Sequence, residues 1–400
     1  MTDGKRWAFD LSFDGWTKFF AGQGQPSYRA GQICAWLWKR RVFDPEGMTD
    51  FGKELRAALT ASLDFSPPEI VRSERAKDGT RKFLLEMRDG TRVETALIKQ
   101  GDRLTACIST QAGCPIGCPF CATGTSGFER NLTSGEIASQ LAVMEQSVAR
   151  DIQSVVLMGM GEPFLNTEAV LDAIRALNHS KMRGLGVRHF TVSTAGIIPG
   201  IEALAASGLG VRLAVSLHAS DDELRDEMIP CNTSYPLKEL VAAMKDYQEK
   251  TGDRLTIEYA LFKKKNDTLE HARKLARLLH GIHAYINLIP ANDNLNGYER
   301  SAPDDTLRFQ SVLKSAGFET EIRAEHGSDI SAACGQLKGR EPSPEVKPRP
   351  SRPEIKSRKD ETSKPVRATT QPHQKGPARR ESAPKAKQRG TRRPGKKGPR

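Results

Sequence analysis

Between Ala106 and Cys334 the chain alternates short β-branched runs with longer stretches whose apolar residues recur at helical spacing, and this alternation constrains the fold more than any other feature. It predicts strands at Ser154–Met158, Phe190–Ser193, Arg212–Leu217, Leu255–Leu261, Tyr285–Ile289 and Thr320–Ile322. Helices are expected before and between them, around Ile137–Val148, Val170–Asn178, Ile201–Ala206, Leu237–Lys250, Leu269–Leu279 and Thr306–Ala316. Strands separated by helices pair in parallel, because a parallel connection needs a crossover long enough to hold a helix. Six repeats fall short of the eight-repeat barrel, which takes ~250 residues, and fit an α/β fold built as an open, partial (β/α)6 barrel. In such folds the C-terminal ends of the strands carry the site.

The flanks read differently. Residues 1–65 carry apolar residues at helical spacing around Trp36, Leu37, Trp38 and Leu55, which predicts a small N-terminal helical accessory domain with helices over Tyr28–Val42 and Met48–Leu63. Residues 66–99 read as a linking β-hairpin, its two runs Lys82–Met87 and Thr91–Leu97 joined by Arg88-Asp89-Gly90. The barrel is then expected over 100–337. Residues 338–400 hold 21 Lys and Arg against 6 Asp and Glu, and 11 of the 23 prolines, with no Phe, Trp or Tyr. The net charge of +12 is therefore the property of one tail, since residues 1–337 carry 40 basic against 43 acidic side chains. Such a tail buries too little apolar surface to offset its ordering entropy, so it is expected to be disordered and suited to sequence-blind attraction to RNA phosphates. No apolar run approaches the ~18 residues of a membrane span, and the N-terminus lacks a signal-peptide core, so a cytoplasmic protein without membrane contact is expected. In a reducing compartment, seven cysteines point to metal or catalytic chemistry before a disulfide framework.

The chemistry concentrates in Cys114-Pro-Ile-Gly-Cys118-Pro-Phe-Cys121. Three soft thiolates this close suit zinc or an iron–sulfur cluster. Structural zinc closes its tetrahedron with a fourth protein ligand, and no neighbouring His or Cys supplies one. The loop therefore favours a 4Fe-4S cluster with one iron left open for a substrate. Met158-Gly-Met-Gly161-Glu162-Pro163 follows a strand, with close backbone approach at Gly161 and a carboxylate at Glu162 suited to an ammonium group. Cys34 and Cys231 read as small buried hydrophobes.

The CxxxCxxC loop after a first barrel strand resembles the radical S-adenosylmethionine superfamily. Thr191-Val-Ser193-Thr-Ala-Gly196, Ala214-Val-Ser216-Leu217-His218-Ala and Asn287-Leu-Ile-Pro-Ala-Asn292 narrow the resemblance to the RlmN-type adenine-carbon-2 RNA methyltransferases. It covers residues from about 28 to 337. It implies that Cys114, Cys118 and Cys121 hold the cluster, and that Gly161, Glu162, Ser193, Ser216, Leu217, His218 and Asn292 contact S-adenosyl-L-methionine, two molecules of which serve each turnover. By the same resemblance Cys334, in Ser331-Ala-Ala-Cys334-Gly-Gln-Leu337, is methylated and carries the one-carbon unit. A second S-adenosylmethionine is cleaved reductively to a radical that activates the methylated Cys334 for addition to carbon 2. Glu94 accepts the carbon-2 proton, and Cys107 resolves the adduct through a transient disulfide with Cys334.

The substrates so implied are adenosine 2503 of 23S rRNA and adenosine 37 of tRNA, both in single-stranded contexts from which a base can leave its stack. An electron donor such as flavodoxin and a monomeric state are implied as well. Lys39-Arg40-Arg41 and Lys263-Lys264-Lys265 are candidate RNA contacts within the acidic core, or solvated surface. The Cfr-like adenine-carbon-8 enzymes share the cluster loop and both cysteines, and a non-catalytic RNA-binding or ribosome-assembly factor is the alternative from another class.

Overall fold

A computed structural model describes residues 4–291 and 297–339 of the chain. In the N-terminal region, α1 (Phe13–Gly22), α2 (Tyr28–Cys34) and α3 (Lys53–Ser62) enclose Trp16, Phe20, Ile33 and Leu37, none of which is exposed. The expected helix over Tyr28–Val42 is interrupted. After α2 the chain winds into a π-helical stretch, Ala35–Arg40, and stops at Arg41, whose φ of 57° is left-handed. The expected helix over Met48–Leu63 begins only at Lys53, because Pro45 opens a separate 3-10 turn and Gly52 is extended.

Ten strands form one sheet in chain order: β1 (Glu69–Arg75), β2 (Arg81–Glu86), β3 (Arg92–Gln100), β4 (Arg103–Cys107), β5 (Ser154–Leu157), β6 (Phe190–Thr194), β7 (Arg212–Ser216), β8 (Leu255–Leu261), β9 (Ala284–Pro290) and β10 (Glu319–Ile322). The first four pair antiparallel and β4 to β10 pair in parallel. The β2–β3 hairpin turns at Asp89-Gly90, where Gly90 takes a φ of 86° and Asp89 Oδ1 accepts the Thr91 N–H at 3.0 Å. The hairpin is continuous with the main sheet, since β3 pairs with β4.

Six β/α units start at β4, which the sequence patterning did not mark. They run through α4 (Ser134–Val148), α5 (Thr167–Asn178), α6 (Ile198–Ala206), α7 (Leu237–Thr251), α8 (Leu269–Leu278) and α9 (Pro303–Ser315), and β10 follows as a seventh parallel strand. Among the described residues β4 and β10 do not pair, so the barrel is open, as expected. Strand pairing puts Val155, Val192, Leu213, Ile257 and Ile286 on one face of the parallel sheet, all wholly buried, while the alternate residues Thr191, Ser193, Tyr285 and Asn287 are half-buried.

Helix α4 joins the N-terminal region to the barrel. A capping box between Thr133 and Glu136 starts it, and every residue from Gly135 to Glu145 is buried. A Cβ at Gly135 would stand 2.8 Å from the Phe9 carbonyl carbon, so only glycine lets the N-terminal segment approach this closely. At the other end Glu145, its side chain fully buried, receives Arg183 at 2.6 and 2.9 Å and Arg41 at 3.2 Å.

Candidate active site

The cysteine loop is closed at its base by a short antiparallel ladder between Gln111–Gly113 and Phe128–Asn131, with Cys114 N–H donating to Gly127 O at 2.8 Å. Inside the loop, Cys121 N–H donates to Cys118 O at 3.1 Å. Gly124 packs so tightly that a Cβ there would lie 2.9 Å from the Cys118 backbone. Burial pushes the thiols of Cys114, Cys118 and Cys121 above the usual range, and Cys114 and Cys121 raise Cys118 further because like charges in one loop repel. Thiols so placed ionise when a metal takes them. Among the described residues no three metal-ligating side chains gather around a single-ion position. The donor chemistry of the loop, three thiols and no fourth ligand among Cys114–Cys121, fits a 4Fe-4S cluster, which takes each cysteine on a different iron.

The expected cofactor segments lie at neighbouring strand ends. Gly161 has a φ of 103°, and a Cβ there would come within 2.6 Å of Gln111. The Glu162 carboxylate accepts three donors: Phe164 N–H at 3.0 Å, Thr194 Oγ1–H at 2.7 Å and Ala195 N–H at 2.7 Å. Burial nonetheless raises it to about 7, against these hydrogen bonds. Ser193 and Ser216, on adjacent strands, place their Oγ atoms 3.4 Å apart. Leu217 is wholly buried and donates its N–H to Glu258 O at 3.0 Å. His218 adopts a left-handed φ of 55° and packs edge-on to Phe120 of the cysteine loop, with ring centroids 5.3 Å apart. Its Nδ1 accepts Ala260 N–H at 3.0 Å, so Nε2 carries the ring proton. Burial, then Arg225, lowers it to about 3, so the imidazole is neutral. Asn292 lies outside the described residues, as does the tail from Arg340 onward.

Cys107 and Cys334 line one cavity of about 110 Å³ together with Cys121, Met158 and Arg323. The Cys334 segment is fastened to the residues just after the cysteine loop, with Ala122 N–H donating to Gly335 O at 2.7 Å and Thr123 Oγ1–H to Leu337 O at 2.7 Å. Burial pushes the Cys107 thiol up to about 12, with Cys334 raising it and Arg323 opposing. Glu94 shares the face of Cys107, because β3 pairs Ala96 opposite Cys107 and Glu94 lies two residues along. Glu94 Oε2 accepts Lys338 N–H at 2.7 Å, at the end of the Cys334 segment. The fold thus brings Glu94, Cys107, Cys334 and Cys121 to one region.

Three cations there had no sequence signal. Arg225, 0 % exposed, donates to Leu217 O at 3.2 Å, Asn232 Oδ1 at 2.8 Å, Ala195 O at 2.6 Å and Ser216 O at 3.3 Å. Arg323 lies 3.9 Å from Glu258. Its guanidinium is raised chiefly by Cys334, against burial, with Glu258 and Cys107 adding. Lys82 meets Glu94 Oε1 at 3.2 Å. Cys231 is buried, as read, yet it lies close enough to Cys114 and Cys118 to raise both. The two basic runs are largely engaged within the protein: Arg41 with Glu145 and Asp151, Lys39 with Ser180 O, Lys263 with Glu299 and Lys265 with Glu227.

The chain is similar to known proteins over most of its length. Residues 108–279 match the family model described as the radical SAM superfamily, and residues 8–64 match the ribosomal RNA large subunit methyltransferase N-terminal domain. The protein named Probable dual-specificity RNA methyltransferase RlmN in Thermotoga neapolitana is 46 % identical over 330 residues, 82 % of this chain and 96 % of its own length. The protein of the same name in Staphylococcus aureus is 41 % identical over 341 residues, 84 % of this chain and 94 % of its own. The crystal structure of a radical SAM methyltransferase from Sphaerobacter thermophilus superposes with a TM-score of 0.81 at 40 % identity, covering 84 % of this chain and all of that one. Membership of the superfamily brings a 4Fe-4S cluster and S-adenosylmethionine as cofactors. Identity at this level along nearly the full length of the relatives, with both segments matched in order, places the chain in the RlmN family of radical SAM RNA methyltransferases.

Proposed function

We propose that the chain is a dual-specificity enzyme that forms 2-methyladenosine at adenosine 2503 of 23S rRNA and adenosine 37 of tRNA. The observation that supports this reading most is the shared cavity: two cysteines far apart in sequence line it beside the end of the cysteine loop, with Glu94 on the sheet face of Cys107. When bound, the cluster and S-adenosylmethionine supply the methyl group and the hydrogen-abstracting radical that carbon 2 requires, because that electron-poor carbon does not attack a sulfonium methyl. Cys114, Cys118 and Cys121 hold the cluster, and Gly161, Glu162, Ser193, Ser216, Leu217, His218 and Asn292 orient S-adenosylmethionine, with neutral His218 offering an Nε2–H donor.

Cys334 receives the methyl group and presents it in the cavity, its segment held in place by its hydrogen bonds to Ala122 and Thr123. Glu94 takes the carbon-2 proton. The Cys107 thiolate then attacks the Cys334 sulfur; the sulfur–carbon bond breaks with its electron pair on the one-carbon unit, which takes up a proton, and a Cys107–Cys334 disulfide remains. Arg323 favours the Cys107 thiolate against burial. An electron donor such as flavodoxin completes the cycle, and the enzyme acts as a monomer in the cytoplasm.

The test is nucleoside mass spectrometry of unmodified 23S rRNA after anaerobic incubation with cluster-loaded protein, reductant and methyl-deuterated S-adenosylmethionine. 2-Methyladenosine retaining two methyl deuterons is expected. 8-Methyladenosine, or no labelled base with an intact cluster, refutes the assignment.

A further inference from the structure

The antiparallel flank of the sheet carries a charged row that the chemistry above leaves unused. Strand pairing sets Glu74 opposite Lys82 and Lys82 opposite Ala96, so Glu74, Lys82 and Glu94 share one face of β1, β2 and β3. Lys82 Nζ lies 3.2 Å from Glu94 Oε1 and 3.2 Å from Glu74 Oε2. The side chains of Glu94, Lys82 and Glu74 are 13, 14 and 23 % exposed, whereas Arg72, paired with the outer oxygen of Glu74, is 60 % exposed. The row starts at Glu94, which is held to the end of the Cys334 segment by the Lys338 N–H, and ends on β1, the edge strand, most of whose residues are exposed.

The geometry points to Lys82 and Glu74 as the proton outlet of Glu94. This inference rests on Glu94 being the proton acceptor, as proposed above. Once protonated, Glu94 must be reset before the next turnover. Water reaches it poorly, and its Oε2 is closed by the Lys338 N–H. Lys82 contacts both carboxylates and can pass one of its N–H protons to Glu74 Oε2 while taking the proton from Glu94 Oε1. One N–H bond breaks and one forms, the lysine remains an ammonium, and no electrons change hands. Glu74 then releases the proton to water at the sheet edge. Arginine could hold both carboxylates but would not exchange its protons, which separates a relay from a purely electrostatic support.

Full-length, cluster-loaded Lys82→Met and Lys82→Arg proteins test this over successive anaerobic turnovers on RNA with reductant in excess. Three quantities are followed in H2O and D2O: methylation of Cys334, the covalent protein–RNA adduct on a denaturing gel, and released methyladenosine. Both variants should methylate Cys334 at the wild-type rate, which also reports correct folding. Both should release the first equivalent of product as the wild type does and later equivalents roughly 10- to 100-fold more slowly, the range of a lost proton-transfer group. The Arg variant should show the enlarged solvent isotope effect, and Glu74→Gln should slow release in the same direction. Wild-type release from either Lys82 variant overturns the relay. Glu94→Gln separates the two levels of failure: wild-type release from it refutes Glu94 as acceptor, while stalled release beside a normal Lys82→Met refutes the outlet alone.

Discussion

Replacing Glu162 by Gln turns the burial of that carboxylate into a measurable pH dependence. In the folded, cofactor-free protein Glu162 is raised by burial from an ordinary 4.5 to about 7. Between these values the native state keeps a proton that the unfolded chain has released, so native stability must fall as pH rises through the window and level off above it. At about 1.4 kcal/mol per pH unit, the 2.5-unit difference is worth ~3 kcal/mol, or roughly 300-fold in the unfolding constant. Gln cannot titrate. It also presents an amide N–H to a site where Phe164, Thr194 and Ala195 all donate, leaving one donor unpaired at a cost of about 1–3 kcal/mol. That cost is independent of pH and cancels in the slope. Urea unfolding of reduced, metal-free wild-type and Glu162→Gln proteins at pH 5 and pH 8 should show the wild type losing ~3 kcal/mol relative to the variant. A difference that is flat with pH refutes the raised carboxyl. If the carboxylate receives the S-adenosylmethionine ammonium, binding below pH 7 must expel the same proton, which calorimetry in buffers of different ionisation enthalpy reads directly.

Two further expectations follow from buried polar groups. Glu145→Gln leaves Arg41 and Arg183 without their shared charge at the junction of the N-terminal region and the barrel, and should cost about 3–5 kcal/mol, read as a fall of several degrees in Tm; an unchanged Tm refutes the ionic junction. His218, lowered to about 3, stays neutral from pH 5 to 9, so His218→Phe should raise the KM for S-adenosylmethionine several-fold without moving either limb of the pH–rate profile; loss of a limb refutes the neutral donor.

The parallel strands were legible because each is a short run with buried apolar or β-branched residues at alternate positions, set between stretches of helical spacing. β4 escaped notice because Arg103-Leu-Thr-Ala-Cys107 is short, and both neighbours, β3 and β5, cover its edges only in the fold. Residues fixed by local spacing were equally readable. The three cysteines of the loop have little freedom to separate, and the distance from Glu94 to Cys107 suits a hairpin that returns both to one face. Cys334 belongs to another kind of problem. Nothing local brings it to the cavity that Cys107 lines; two hydrogen bonds fasten its segment behind Cys121.

The cations around the site escaped sequence reading for a reason of principle. In a one-dimensional pattern Lys and Arg mark solvent, and Arg225 even sits in an acidic stretch, Asp221-Asp-Glu-Leu-Arg225-Asp-Glu, that resembles an exposed helix face. A region that gathers thiols and carboxylates in low dielectric cannot remain folded with its charges uncompensated, so it draws cations inward to partners that only the tertiary structure supplies. Arg225 satisfies its guanidinium on the carbonyls of Ala195, Ser216 and Leu217 and on Asn232, and so braces two strand ends that carry expected cofactor contacts. Arg323 does the equivalent between Glu258 and the two cysteines of the cavity, and Lys82 between Glu94 and Glu74. The sequence displays the groups that do the chemistry because their spacing is local. The charges that let those groups coexist are non-local, and they become visible only when the strands stand side by side.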